Sequence, residues 1–418
     1  MRRGFAAVGS GGVMHVEVVV VVVAVLGLGV AALSSSLDRL PVSEPLLAVV
    51  AGVLVGPQAL GWVVLPELGA GPHELREVAV VLLAVSMMAI ALRYPIGDVR
   101  RRAGSVGLLL GVLMPVMALA SAGVAWAVLG PTAGLGAAAA LLLGVAVCPT
   151  DPVLSSSVVT GGPAERDIAE RTRQLLSLES GANDGLALPL VVVAVAVAGP
   201  LTGGEAGLEV LRSVLGALVL GVAAGWGAGR AVRLGEQHSD TSPAQAVLFT
   251  LVLALGVLSA AHLLDVGAVL AVFVAGLALN ATWTSDDRVR ALTIDEALNK
   301  YAVLPVFVLL GVALPWSAWA EIGWALVLLV VGVLLLRRLP WLLALSPALR
   351  LARRDALFLG WFGPIGVSAI YYLLEVGERV PGSDLVVTAG TAVVVGSTLV
   401  HGLTGSPGRA AYARVEGG

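Results

Sequence analysis

Ala146-Val147-Cys148-Pro149-Thr150-Asp151-Pro152 interrupts an apolar run with two prolines and a carboxylate. A proline inside a helix removes a backbone hydrogen bond and clashes with the turn before it, so no continuous helix passes through this stretch. Gly360-Trp361-Phe362-Gly363-Pro364-Ile365-Gly366 interrupts a second apolar run with glycines and a proline. Unwound backbone in a bilayer is tolerated only where protein or a water-filled cavity satisfies its polar groups. The two breaks are therefore expected to be buried together near the midplane.

The rest of the chain sets these breaks in a membrane. Of 418 residues, 58% are hydrophobic and only 13% charged, outside the usual soluble range. Apolar runs long enough to cross roughly 30 Å of hydrocarbon recur from Val16 almost to the C-terminus, so Met1 to Ser10 is not read as a cleaved signal. The spans predicted are 16–33, 44–64, 75–94, 103–129, 132–160, 172–198, 207–232, 243–264, 265–283, 298–316, 320–347, 354–375 and 385–405. The breaks fall in the fifth and the twelfth, each the middle of a three-helix group. An odd offset of seven spans inverts one group relative to the other, the signature of inverted-repeat transporters. The fold class expected is an all-α membrane protein of about thirteen transmembrane helices with inverted repeats and two crossing discontinuous helices.

Arginine placement gives an orientation. Arg93 with Arg100, Arg101 and Arg102, then Arg166, Arg171 and Arg173, then Arg230 and Arg233, then Arg288, Arg290 and Lys300, then Arg350, Arg353 and Arg354 occupy alternate loops. Those loops and the C-terminus are expected on the cytoplasmic side, with Arg2 and Arg3 the one discord. A net charge of −3 with scattered basic residues offers no nucleic-acid surface. The single cysteine, Cys148, excludes an intramolecular disulfide and any thiolate cluster, and no cofactor is expected. Gly221, Gly225 and Gly229 form a small-residue face suited to close helix packing.

The densest polar cluster inside a span is Glu179-Ser180-Gly181-Ala182-Asn183-Asp184, read as opening the sixth helix ahead of the apolar run from Leu186 to Ala198. Ionisable groups at such depth are costly and functional by default. Ser180 and Asp184 lie one turn apart on one face, and Glu179 and Asn183 one turn apart on the adjacent face. A carboxylate beside a hydroxyl offers hard oxygen ligands to a small monovalent cation, and the same carboxylate can instead hold a proton. Competition of the two for Asp184 is exchange. Glu179, so close to a second carboxylate, requires a buried cation, and Arg337 or Arg338 in the eleventh span can supply it as a bidentate partner. At the first break Thr150 reads as an ion ligand, and Asp151 either as an N-cap with Pro152 at the first helical position or as a direct ligand of the ion or proton. His401 is left outside the core site. An intramembrane aspartyl protease built on Asp151 and Asp184 is the competing enzyme reading, and neither Gly-x-Gly-Asp nor His-Glu-x-x-His occurs in the chain. A sodium-coupled symporter on a related fold is the competing transporter.

At these residues the chain resembles the monovalent cation/proton antiporter superfamily, in the sodium/proton exchanger branch that holds the bacterial NhaP-type and fungal plasma-membrane antiporters. Cys148-Pro149-Thr150-Asp151-Pro152-Val153-Leu154 looks like the family's Thr-Asp-Pro break, and Leu178-Glu179-Ser180-Gly181-Ala182-Asn183-Asp184-Gly185 like its Glu-Ser-Gly-x-Asn-Asp signature. Ala271 to Gly276, Pro305 to Gly311 and His401-Gly402 add weaker matches. The resemblance implies an NhaA/NhaP-like homodimer in the cell membrane, working by alternating access. Helices in 16–94 and 207–316 would form a dimerisation domain and those in 103–198 and 320–405 a mobile core. It implies that Asp184 binds the ion with help from Thr150 and Ser180, that Asp151 and Asn183 organise the crossing, and that Glu179 pairs with an arginine of the eleventh helix. An Asn-Asp pair implies one exchangeable carboxylate and electroneutral one-for-one exchange; the cation expected is Na+ or Li+, with K+ as the alternative. Ile365 stands where many relatives carry arginine. The third span offers only Ser86, Met87 and Met88 where some supply a ligating glutamate.

Overall fold

Backbone in lipid must satisfy its own N–H and C=O groups, and a helix does so within one segment. In this computed structural model every assigned element among the described residues, 16–37, 42–65, 73–152, 154–199, 201–236, 243–283 and 304–414, is a helix. In chain order these are α1 (Val16–Leu37), α2 (Glu44–Val55), α3 (His73–Arg93), α4 (Ile96–Leu108), α5 (Met114–Ala133), α6 (Ala137–Ala146), α7 (Ser156–Val159), α8 (Gly162–Asp167), α9 (Glu170–Ala198) and α10 (Gly203–Glu236). There follow α11 (Pro243–Leu263), α12 (Ala268–Asn280), α13 (Leu304–Val312), α14 (Trp316–Ile322), α15 (Trp324–Leu336), α16 (Leu339–Leu349), α17 (Arg353–Trp361), α18 (Val367–Arg379) and α19 (Asp384–Arg414). A π-helical turn, Leu109–Leu113, joins α4 to α5 just ahead of Pro115.

Among the described residues six stretches are long and apolar enough to cross a membrane: Leu75–Arg93, Ile96–Ala133, Glu170–Ala198, Gly203–Leu234, Trp324–Leu349 and Asp384–Arg414. The pair α13 and α14, bent by 64°, makes a seventh if it is one span. Large apolar side chains such as Leu208, Val219, Leu248 and Val327 stand exposed, as lipid-facing residues do.

Several predicted spans differ from the helices. The second, 44–64, ends at Val55, because Pro57 forces Gly56 into extended backbone (φ −71°, ψ 178°). The fourth extends well beyond 103–129 at its N-terminal end, through α4. The tenth begins among residues outside the described set, as do Arg288, Arg290 and Lys300 of the predicted cytoplasmic loop and Arg2 and Arg3 of the N-terminal tail. The eleventh starts at Trp324 and is itself interrupted at Arg337-Arg338, where Pro340 opens α16.

The packing has two foci. On one side α10 and α3 pack against α12, and α2 packs against α13. On the other α5 packs against α6 and α15, while α19 packs against α15, α6 and α18. Helix α9 touches both, meeting α10, α12 and α3 as well as α6 and α18. The face of Gly221, Gly225 and Gly229 lies against α12 and the residues after it: an added Cβ would fall 2.6 Å from Ala271 O, 2.1 Å from Ala275 O and 2.1 Å from Thr282 Oγ1 respectively.

Candidate ion site at the crossing of two broken helices

Both breaks occur where the prolines and glycines require, and they meet. Helix α6 stops at Ala146 and α17 at Trp361; the Asp151 N–H donates to Pro364 O at 2.7 Å, joining one break to the other. Each break leaves carbonyls at one half-helix end and N–H groups at the next, and two buried charges answer them. Arg337 donates to Val147 O, Cys148 O and Pro149 O at 2.9–3.1 Å and also to Gly363 O, so one guanidinium serves the C-terminal ends of α6 and α17. Asp151 accepts from Leu154 N–H at 3.0 Å and from Val367 N–H, the first residue of α18. A cation at two negative helix ends and an anion at the opposing positive ends is the arrangement the helix dipole favours. The approach is close: a Cβ on Gly363 would sit 2.4 Å from Arg338 Cδ, and one on Gly366 2.2 Å from Asp151 Oδ2.

The N-cap reading of Asp151 requires an amendment. Its carboxylate does receive the Leu154 N–H, three residues on, but regular helix resumes only at Ser156, and the second oxygen serves the other broken helix. Val153 of that motif lies outside the described residues. A further correction concerns the polar cluster from Glu179 to Asp184. It does not open its helix but sits in the middle of the 29-residue α9, since the polar stretch from Glu170 to Gln174 is already helical.

Midway along α9 the cluster divides as its turns dictate. Arg338 forms a bidentate pair with Glu179 (Nη1 to Oε1 2.8 Å, Nη2 to Oε2 3.0 Å), both side chains being 2% exposed or less. Its Nε donates to Leu359 O at 2.8 Å. The two neighbouring arginines thus do different things, Arg338 bonding a carboxylate and Arg337 the backbone; the helix interruption at Pro340 lets both turn inward. Asn183 Nδ2 donates to Glu179 Oε1 at 2.9 Å and to Thr150 Oγ1 at 2.7 Å, and Asn183 Oδ1 accepts from Thr150 N–H at 3.3 Å. Thr150 Oγ1 also lies 3.0 Å from Ser180 Oγ. Glu179, Asn183, Thr150 and Ser180 are therefore one hydrogen-bonded group tying α9 to the first break.

Asp184 stands apart from that group. It is fully buried, and neither carboxylate oxygen has a hydrogen-bond partner among the described residues. Its backbone carbonyl accepts from Tyr372 Oη on α18. Ser368, one turn before Tyr372, is fully buried beside it and its hydroxyl also lacks a hydrogen-bond partner. Neither Ser368 nor Tyr372 was singled out by the sequence reading. The signal available was their i, i+4 spacing immediately after a helix break, and nothing local said that this face meets Asp184. His401 braces the second break: its Nε2 faces Trp361 O at 2.9 Å and its Nδ1 lies 3.1 Å from Ser397 Oγ, which accepts from Ile365 N–H at 2.7 Å.

Described residues that form only helices, several long and apolar enough to cross a membrane, with two broken ones meeting beside buried carboxylates, have the architecture of a secondary transporter. The model of the family described as sodium/hydrogen exchanger, transmembrane matches residues 8–408, and the chain belongs to that family. It is 34% identical over 352 residues to the Na(+)/H(+) antiporter 2 of Zygosaccharomyces rouxii, covering 80% of this chain and 42% of that one. It is 27% identical over 384 residues to the K(+)/H(+) antiporter NhaP2 of Shewanella sp. (strain MR-4), covering 88% of this chain and 62% of that one. This chain thus spans less than two thirds of the length of either relative. Among solved structures, that of the sodium proton antiporter MjNhaP1 from Methanocaldococcus jannaschii superposes with a TM-score of 0.72 at 18% identity, covering 96% of this chain and 98% of that one.

Proposed function

We propose that this chain exchanges protons for a small monovalent cation across the cell membrane, the two competing for Asp184. The observation that carries the reading is the pair of Asp184 oxygens, buried beyond the reach of solvent and left without a hydrogen-bond partner while every other carboxylate oxygen at the crossing is engaged. An unpaired carboxylate is not a resting state for a buried site, so it holds either a proton or a metal cation. Thr150 and Ser180, which hydrogen-bond to each other, would turn their hydroxyls to the ion when it binds, while Asn183 and Asp151, whose polar atoms are spent on the crossing, act as struts. One exchangeable carboxylate supports a ratio of one proton to one cation, hence electroneutral exchange. Sodium and lithium are the first candidates, and potassium stays open because the relatives carry both names.

The same reading takes the chain as thirteen spans in two inverted repeats, with a dimerisation part (16–94 and 207–316) and a core (103–198 and 320–405) that moves against it, two copies forming a homodimer and the C-terminus facing the cytoplasm. The two packing foci support that division, with α9 and α18 crossing between them. Inverted membrane vesicles carrying wild type or Asp184→Asn provide the test. Sodium, lithium or potassium, with no organic solute present, should discharge a proton gradient with wild type and not with Asp184→Asn. Discharge by neither protein between pH 6 and 9, or by both equally, overturns the proposal.

A further inference from the structure

The side of the Asp184 carboxylate that faces the second broken helix is built by α18, and two bonds fix that helix in register. Its first residue, Val367, donates its N–H to Asp151, and Tyr372 donates its hydroxyl to the carbonyl of Asp184 itself. Ser368 lies between these anchors and one turn from Tyr372, so it shares the Tyr372 face turned toward α9. Its hydroxyl is fully buried on that face and makes no hydrogen bond in acceptable geometry to any described residue.

A fully buried hydroxyl with no partner is uncommon, because an unsatisfied polar group costs about 1–3 kcal/mol. Two such groups facing each other, an unpaired hydroxyl and an unpaired carboxylate, are both answered by one cation held between them. Oxygen donors of this kind suit small, poorly polarisable ions. We propose that Ser368 is a ligand of the transported cation, contributed by the second broken helix, and that its hydroxyl sets the preference among monovalent ions. This rests on the reading of Asp184 as the exchange site. It also gives the site a ligand from each broken helix, Thr150 from the first and Ser368 from the second, so movement of one crossing helix against the other changes the coordination of the ion.

The test is cation-driven proton flux in proteoliposomes holding wild type, Ser368→Ala, Ser368→Thr or Asp184→Asn, with KM and kcat measured separately for lithium, sodium and potassium. Ser368→Ala is expected to raise KM for the smaller ions about tenfold, the weight of one lost polar contact, and to change their ratio to potassium. Ser368→Thr, which keeps the hydroxyl, should restore both. Unchanged KM values for all three ions in Ser368→Ala overturn the proposal, as does a fall in kcat and melting temperature at constant KM, which marks a packing role. If Ser368→Ala does not fold, Ser368→Cys replaces it: a thiol of similar size ligates hard cations poorly, so a raised KM against Ser368→Thr supports the ligand role and equal KM values refute it. Asp184→Asn separates the two readings. Exchange surviving in that variant sinks the assignment of Asp184, whereas an inactive Asp184→Asn beside an unaltered Ser368→Ala sinks only the role of Ser368.

Discussion

Arg338 and Arg337 are adjacent in sequence and buried to the same degree, yet their bonding predicts different consequences on removal. Truncating Arg338 orphans Glu179, a carboxylate 1% exposed, and breaking a buried pair from one side costs about 3–5 kcal/mol. Arg338→Ala is therefore expected to lower the melting temperature of the detergent-solubilised protein sharply, with Glu179→Ala a comparable loss. The double replacement should cost less than the sum of the two, because no lone charge remains. Arg337→Ala removes no ion-pair partner but frees four carbonyls at the helix ends, so no second replacement at Glu179 should mitigate it. A melting series of these five proteins checks the assignment; additivity of Arg338→Ala with Glu179→Ala would reject it. This choice between two neighbours was not legible in the sequence, since Glu179 lies 159 residues from Arg338 and their meeting depends on where the interruption between α15 and α16 falls relative to α9.

At the scale of elements, close approach of α10 to α12 rests on having no side chain at three successive turns of α10. A methyl at Gly225 would lie 2.1 Å from Ala275 O and 2.8 Å from its carbonyl carbon, and backbone at that distance cannot rotate away. Gly225→Ala should thus destabilise by about 1–3 kcal/mol, the usual cost of overpacking, even though alanine is the better helix former. Gly227→Ala, where nothing lies within 4 Å, is the matched control and should be neutral or slightly stabilising. Equal melting temperatures for the two would show that the helices do not meet along this face. The i, i+4 spacing of the glycines announced a packing face; its partner came only from the fold. Helix ends were legible where prolines and glycines cluster, as after Ala146 and after Trp361, but not at Gly56-Pro57, where the predicted span runs on to 64, nor at Arg337-Arg338, where a break lies within an otherwise apolar run.

For the whole molecule, charge balance is the quantity that distinguishes mechanisms. The crossing holds Arg337 and Arg338 against Glu179 and Asp151, leaving Asp184 as the one carboxylate there with free oxygens. If a proton and a cation take turns on it, each half-cycle moves the same net charge. Turnover in proteoliposomes should then be unaffected by an imposed membrane potential, whereas moving one uncompensated charge would change it by about 2.3 kcal/mol per 100 mV. Competition adds a second signature in the same vesicles: apparent KM for the cation should rise as pH falls, with kcat little changed. A clear voltage response would replace one-for-one exchange by a different stoichiometry.

Membrane residence, the two helix breaks and the identity of the buried acidic cluster were determined by sequence alone. Each follows from what a short segment can do with its own hydrogen bonds and apolar surface. The tertiary structure decided which arginine meets Glu179, which broken helix receives each oxygen of Asp151, and that Ser368 faces Asp184. Those outcomes depend on the relative placement of helices far apart in the chain, where many partners are chemically acceptable and packing permits only one.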